Sequence, residues 1–169
     1  MSHVFMSYSR RDTAVVDSIV ERLEKAGIKV WIDREGIEAG RQWRAQIVEA
    51  IDTAEAFVLN ISEHSIASVN VLKELNLAED APDPFVLPVV LQEVKLPAEM
   101  RYQLAGVQQI MYFIDPDKAY RKLETTLKER NKQVILLAEQ PTNREIEIVI
   151  KGETVPDFDD AKKQQFLEL

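Results

Sequence analysis

The chain has 169 residues, 46% of them hydrophobic, and a formal net charge of −8. That length fits one domain with some chain left over, and the negative balance argues against general nucleic-acid binding or a basic membrane-binding face. There is no cysteine, and His3 and His64 are the only histidines, which removes disulfides, thiol catalysis, zinc–thiolate centres and multi-histidine metal sites.

The opening "MSHVFMSYSRRD" turns polar too early for a signal peptide, and no apolar run approaches membrane-spanning length. A soluble, cytoplasmic protein is expected. "HVFMS" (3–7) reads as a buried strand. "RRDTAVVDSIVERLEKAG" (10–27) reads as a helix with Asp12 at its N-cap, a stripe of Val15, Val16, Ile19, Val20 and Leu23, and Gly27 as its stop. "IKVWI" (28–32) is a second strand, "DREGIEAGRQ" (33–42) a loop rich in charge and glycine, and "WRAQIVEAIDTA" (43–54) a second helix. "AFVLNIS" (56–62) is a third strand, followed by a helix containing "SVNVLKELNLA" (68–78). "FVLPVVL" (85–91) is a fourth strand, entered through a turn that two prolines enforce. "QEVKLPAEMRYQLAG" (92–106) is a loop with a short helical turn, and "VQQIMYF" (107–113) a fifth strand. The last helix of the domain, 115–131, has Asp115 as N-cap and Pro116 at its first position. Beyond it, 139–145 reads as a linker, 146–152 alternates like a strand, and "DDAKKQQFLEL" begins an amphipathic helix. One strand and one helix cannot bury a core alone. Residues 1–137 are therefore expected to form one domain, and 138–169 a linker with the start of a second module, or a tail that packs back.

Five strands separated by helical segments imply parallel βαβ units, hence a doubly wound α/β sheet with right-handed crossovers. Ligands of such sheets sit beyond the carboxyl ends of the strands. The segments following strands one to three, "YSRRD", "DREGIEAGRQW" and "EHSIASVN", are where function is to be sought.

The 33–42 loop is long for a strand-to-helix connection. It brings Arg34 and Arg41, with Arg44 just inside the helix, toward Arg10 and Arg11 after the neighbouring first strand. Five arginines on one rim would suit a phosphate or pyrophosphate; the alternative is surface pairing with Glu35, Glu38 and Asp12. Trp43 and Tyr8 flank the rim and could stack on a base or nicotinamide ring, although Trp43 also fits a helix-start residue closing the core. Gly36 and Gly40 supply turn geometry, since neither a Walker nor a dinucleotide-fingerprint pattern is present. His64 reads as solvent-facing.

One residue is out of place. In 68–78, Val71, Leu72, Leu75, Leu77 and Ala78 form an apolar arc at helical periodicity, and Glu74 falls inside it. A carboxylate so directed must be paired, protonated or facing a cavity. Glu79 projects near Leu72 and Leu75 by the same angular reasoning, so angle alone does not separate a site residue from a residue capped at the edge of the buried face.

Taken together, "VFMSYSRRD", "GIKVWIDREGIEAGRQWRAQIVEAI" and "FVLNISEHSIASVNVLKEL" resemble the TIR (Toll/interleukin-receptor) domain family in spacing and order over residues 3 to 131. The resemblance implies a flavodoxin-like sheet of five parallel strands, with 33–42 as the family's BB loop. Many TIR domains cleave NAD at the nicotinamide–ribose bond, using a glutamate in a pattern like S-x-W-C-x-x-E-L. That pattern reads here Ser68-Val69-Asn70-Val71-Leu72-Lys73-Glu74-Leu75, which makes Glu74 the implied catalytic residue. Positions matching substrate contacts are Tyr8, Arg10, Asp33, Glu38, Trp43 and Ser68, with Arg34 beside them on the arginine rim. Asn70 stands where an aromatic is usual, and Val71 where cysteine is usual.

The resemblance further implies that NAD is substrate rather than cofactor. The expected products are ADP-ribose or a cyclic ADP-ribose, with self-association through TIR–TIR contacts and the BB loop as the switch. The expected setting is bacterial immune signalling, such as antiphage defence, with a downstream sensor module in the full chain. No nucleic-acid or membrane partner is expected. The competing reading is a non-catalytic TIR adaptor. A response-regulator receiver fails, because its acidic cluster and phosphorylatable aspartate would fall at Tyr8-Ser9-Arg10 and Ser62-Glu63.

Overall fold

The computed structural model describes residues 3–33 and 41–138. The chain divides into two units, 1–134 and 135–169. The second lies almost wholly outside the described residues, and with it the strand and helix expected after the linker.

The first unit is built on β1 (Val4–Ser7), β2 (Val30–Ile32), β3 (Ala56–Ile61), β4 (Val86–Val90) and β5 (Ile110–Met111). All neighbouring pairs are parallel, in the order β2-β1-β3-β4-β5. This is the five-stranded flavodoxin-like arrangement, with the chain reversing its direction of travel across the sheet between β1 and β3. Every residue of β1 and β3 is buried, as expected of central parallel strands covered on both faces. Side-chain alternation then feeds two cores. Val4, Met6 and Val58 pack with Val16, Ile19 and Leu23 of α1 (Thr13–Lys25) and with Leu123 and Leu127 of α6 (Pro116–Ala138). Phe5, Phe57 and Leu59 pack with Ile51 of α2 (Arg41–Asp52), Val71 and Leu75 of α4 (Val69–Asp80) and Met100 of α5 (Ala98–Gln103).

Several boundaries differ from the periodicity. Residues 10–12 form a 3-10 turn before α1, and Asp12, although at the N-cap position, makes no side-chain cap. Its carboxylate instead accepts a 2.5 Å hydrogen bond from Ser62 Oγ, joining the turn after β1 to the turn after β3. The segment after β3 forms a one-turn helix, α3 (Glu63–Ile66), before α4. His64 lies on it with its side chain 30% exposed, and Ser62 and Ser65 close the turn through reciprocal hydrogen bonds. Only two residues of the expected fifth strand pair, and α6 continues to Ala138 rather than ending at 131. Gly27 ends α1 with φ 81° while the Ile28 amide returns to the Leu23 carbonyl, a cap that favours glycine. The Asp115 carboxylate accepts from the Lys118 amide at 2.9 Å, so the N-cap of α6 is as read. No helix among the described residues is long and apolar enough to cross a membrane.

At the amino ends of the strands, Arg130 anchors α6. Its Nε donates to the Glu55 carbonyl at 3.0 Å, its Nη2 pairs with the Asp83 carboxylate, and its guanidinium lies 4.9 Å from the Phe85 ring centroid. Asn131 Nδ2 donates to the buried Glu55 carboxylate at 2.6 Å. With the Arg130 side chain only 11% exposed, Arg130→Ala is expected to cost about 2 kcal/mol in urea unfolding. A loss below about 0.5 kcal/mol would reduce this cluster to a surface ion pair.

Candidate functional site

The carboxyl ends of β1 and β2, the start of α2 and one face of α4 enclose a cleft of about 600 Å³. It sits where the sheet topology directs a ligand. Tyr8, Arg10, Asp33, Trp43, Ser68 and Glu74 all line it, so six of the eight residues singled out in the sequence come together. The other two, Arg34 and Glu38, lie outside the described residues, as do Gly36, Gly40 and the Arg41 side chain.

Glu74 is held by geometry that the sequence did not reveal. Ser7, the last residue of β1 and only 1% exposed, donates its hydroxyl to Glu74 Oε2 at 2.5 Å. Burial pushes the Glu74 carboxyl up to about 7; the Ser7 hydrogen bond opposes the rise and the negative charge of Asp33 adds to it. Glu79 is exposed and accepts from Gln103 Nε2 at 2.7 Å. The two glutamates that helical angle leaves equivalent are thus separated by what faces them: a strand end and cavity for one, solvent and a glutamine for the other.

On the opposite wall, Tyr8 donates to the Asp33 carbonyl at 3.3 Å, and the Asp33 carboxylate lies 3.6 Å from Arg10 Nη2. Arg10 thus pairs with an acid at the end of β2, and Glu35 and Glu38 of the loop lie outside the described residues. Arg11, Arg44 and Lys73 also line the cleft. Against two acids, Asp33 and Glu74, four basic side chains give the cleft a positive balance on a chain of negative net charge. Trp43 meets both readings: it lines the cleft and stacks on Trp31 with centroids 5.8 Å apart. The stack continues through Phe5 to Phe57, at 4.8 and 5.3 Å, tying the cleft wall to the core. Ser68 borders the cleft and caps α4, accepting from the Val71 amide at 3.4 Å. Asn70 is exposed at the mouth, whereas Val71 is buried and faces away from it.

Sequence reasoning missed Ser7 and Lys73. Ser7 carried a usable signal: a polar residue closing an otherwise apolar buried strand, at the end where ligands bind. Lys73 carried none, since an exposed lysine beside a helix stripe is ordinary. Among the described residues, no group of three metal-ligating acids or histidines comes together.

Strand order and cleft position define a doubly wound α/β domain with a cleft beyond its central strands. More narrowly, the chain belongs to the TIR domain family, whose model matches residues 4–127. Similar solved structures include the TIR domain of the Toll-related receptor TRR-2 from Hydra magnipapillata, 17% identical with a TM-score of 0.61, covering 78% of this chain and 99% of that one. A prokaryotic SEFIR domain is 21% identical with a TM-score of 0.57, covering 74% and 97%. The RPS4 and RRS1 TIR domain heterodimer is 14% identical with a TM-score of 0.55, covering 77% and 98%. These likenesses concern the fold. No curated protein matches the chain.

Proposed function

We propose that this TIR domain is an NAD+ glycohydrolase in which Glu74 is the catalytic residue. The observation that carries the reading is a half-buried, cleft-facing carboxylate opposite a basic rim and two aromatic side chains. The nicotinamide of NAD+ is already cationic, so it leaves with the bonding pair as a neutral base and needs no general acid. What requires stabilisation is the oxocarbenium-like ribose left behind, and an adjacent carboxylate supplies the charge. Arg10, Arg11, Arg44 and Lys73 suit the pyrophosphate, and Trp43 and Tyr8 suit stacking on a ring. Attack by water yields ADP-ribose and a proton; attack by an adenine nitrogen yields a cyclic ADP-ribose. In this reading the domain is the effector of a bacterial defence protein, activated by TIR–TIR contacts through the 33–42 loop, with 138–169 leading toward a sensor.

A second reading, a non-catalytic adaptor, draws on Met111, Phe113 and Ile114, which leave apolar side chains exposed at the end of the short β5 edge strand and just after it. NAD+ consumption at high protein concentration with a crowding agent separates the two. Loss of NAD+ by the unsubstituted protein, reduced at least a hundredfold in Glu74→Gln, is the expected result. Intact NAD+ with assembled, unsubstituted protein would leave the adaptor.

A further inference from the structure

We infer that Ser7 is the positioning residue of the cleft: its hydroxyl, on a strand end that Asn60 fixes through the Ser7 carbonyl, holds Glu74 Oε2 and leaves Oε1 to meet the substrate. The inference deepens the glycohydrolase reading and rests on it for the word substrate, but the Ser7–Glu74 linkage stands on its own geometry. Ser7 closes β1, where an apolar side chain would continue the core and cost nothing in desolvation. Asn60, on β3 and fully buried, donates its amide to the Ser7 carbonyl at 3.0 Å, fixing the last peptide of β1. One buried polar side chain, Asn60, thus fixes the end of β1, and a second, Ser7, reaches the carboxylate on α4. A glutamate has three side-chain torsions to order. A charge-assisted hydrogen bond to one oxygen removes most of that freedom before any ligand arrives.

The linkage has an electrical consequence. The Ser7 hydroxyl favours the ionised form of Glu74 against burial and against Asp33, at the end of β2. Around them stand Arg10 and Arg11 on the turn after β1, Arg44 on α2, and Lys73 on the same helix as Glu74. Without the Ser7 donor, these cations are left to hold the charge across the cleft.

The test is the titration of the Glu74 side-chain carboxyl, followed by ¹³C NMR in the unsubstituted protein, Ser7→Ala and Ser7→Thr, with Glu74→Gln assigning the signal. NAD+ turnover is measured on the same samples from pH 6 to 9. In Ser7→Ala the midpoint should rise by about one unit. The pH profile of kcat should move with it, kcat at pH 6.5 should fall roughly tenfold, and KM should change less than twofold. Ser7→Thr, which keeps the hydroxyl, should restore the midpoint. A packing role alone would lower stability and leave both midpoint and profile in place, and that result would overturn the inference. If no sample cleaves NAD+ while the Ser7→Ala midpoint rises, the enzymatic reading falls and the Ser7–Glu74 linkage is upheld. If NAD+ is cleaved with identical profiles, the linkage falls and the enzyme stands.

Discussion

At pH 8, Glu74→Gln is expected to be more stable than the unsubstituted protein by on the order of 3 kcal/mol, read from urea unfolding. Burial raises the folded-state carboxyl from 4.5 to about 7. The folded protein therefore binds this proton more tightly than the unfolded chain, and the neutral form is the one the fold favours. Stability contributed by the protonated carboxyl is complete below pH 4.5, declines as pH rises toward 7, and is gone above it. Glutamine carries no charge at any pH and still accepts the Ser7 hydroxyl through its amide oxygen. The advantage of Glu74→Gln should accordingly vanish near pH 4.5 and reach its plateau above pH 7. Equal stability of the two proteins at pH 8 would show that the carboxylate is not held against its solvation. A residue whose removal stabilises the fold while abolishing turnover is the signature of a site kept for chemistry.

The second large effect belongs to Phe5. Its ring is fully buried and stacks on both Trp31 and Phe57, so Phe5→Ala removes a core side chain and two aromatic contacts together. A loss of about 4 kcal/mol is expected, a large fraction of the stability of a domain this size. Trp31 and Trp43 are the only tryptophans, and Trp43 ends the stack at the cleft. Tryptophan emission should shift to the red under conditions where the variant is still folded, reporting wetter indoles. A loss below 2 kcal/mol with unchanged emission would mean that the cleft wall does not depend on the core behind it.

The apolar runs of β1, β3 and β4 were readable because strands covered on both faces admit few polar residues, and α1 because its stripe and its glycine stop agree. β5 was not, since "VQQIMYF" is apolar enough for a strand while the backbone pairs only at Ile110 and Met111. The split into α3 and α4 escaped for a similar reason: the capping hydrogen bonds between Ser62 and Ser65 are local contacts with no periodicity. At the site, helical angle placed Glu74 toward the buried side but placed Glu79 there too. Distinguishing them needed the end of β1, sixty-seven positions away in sequence from Glu74. Pairings at that separation are set by strand order, which a single sequence states only through its topology.

Of the five buried polar or charged residues among those described, Ser7, Asn60, Ser62 and Ser65 cluster around the carboxyl ends of β1 and β3, while Glu55 lies at the opposite end, engaged by Asn131. The sheet therefore has a polarity of purpose as well as of direction. Selection for heat resistance alone would act first on Ser7, whose hydroxyl meets a carboxylate the fold disfavours, and would spare Ser62 and Ser65, which cap α3. In the glycohydrolase reading, the Ser7 hydroxyl answers a demand that melting temperature does not measure.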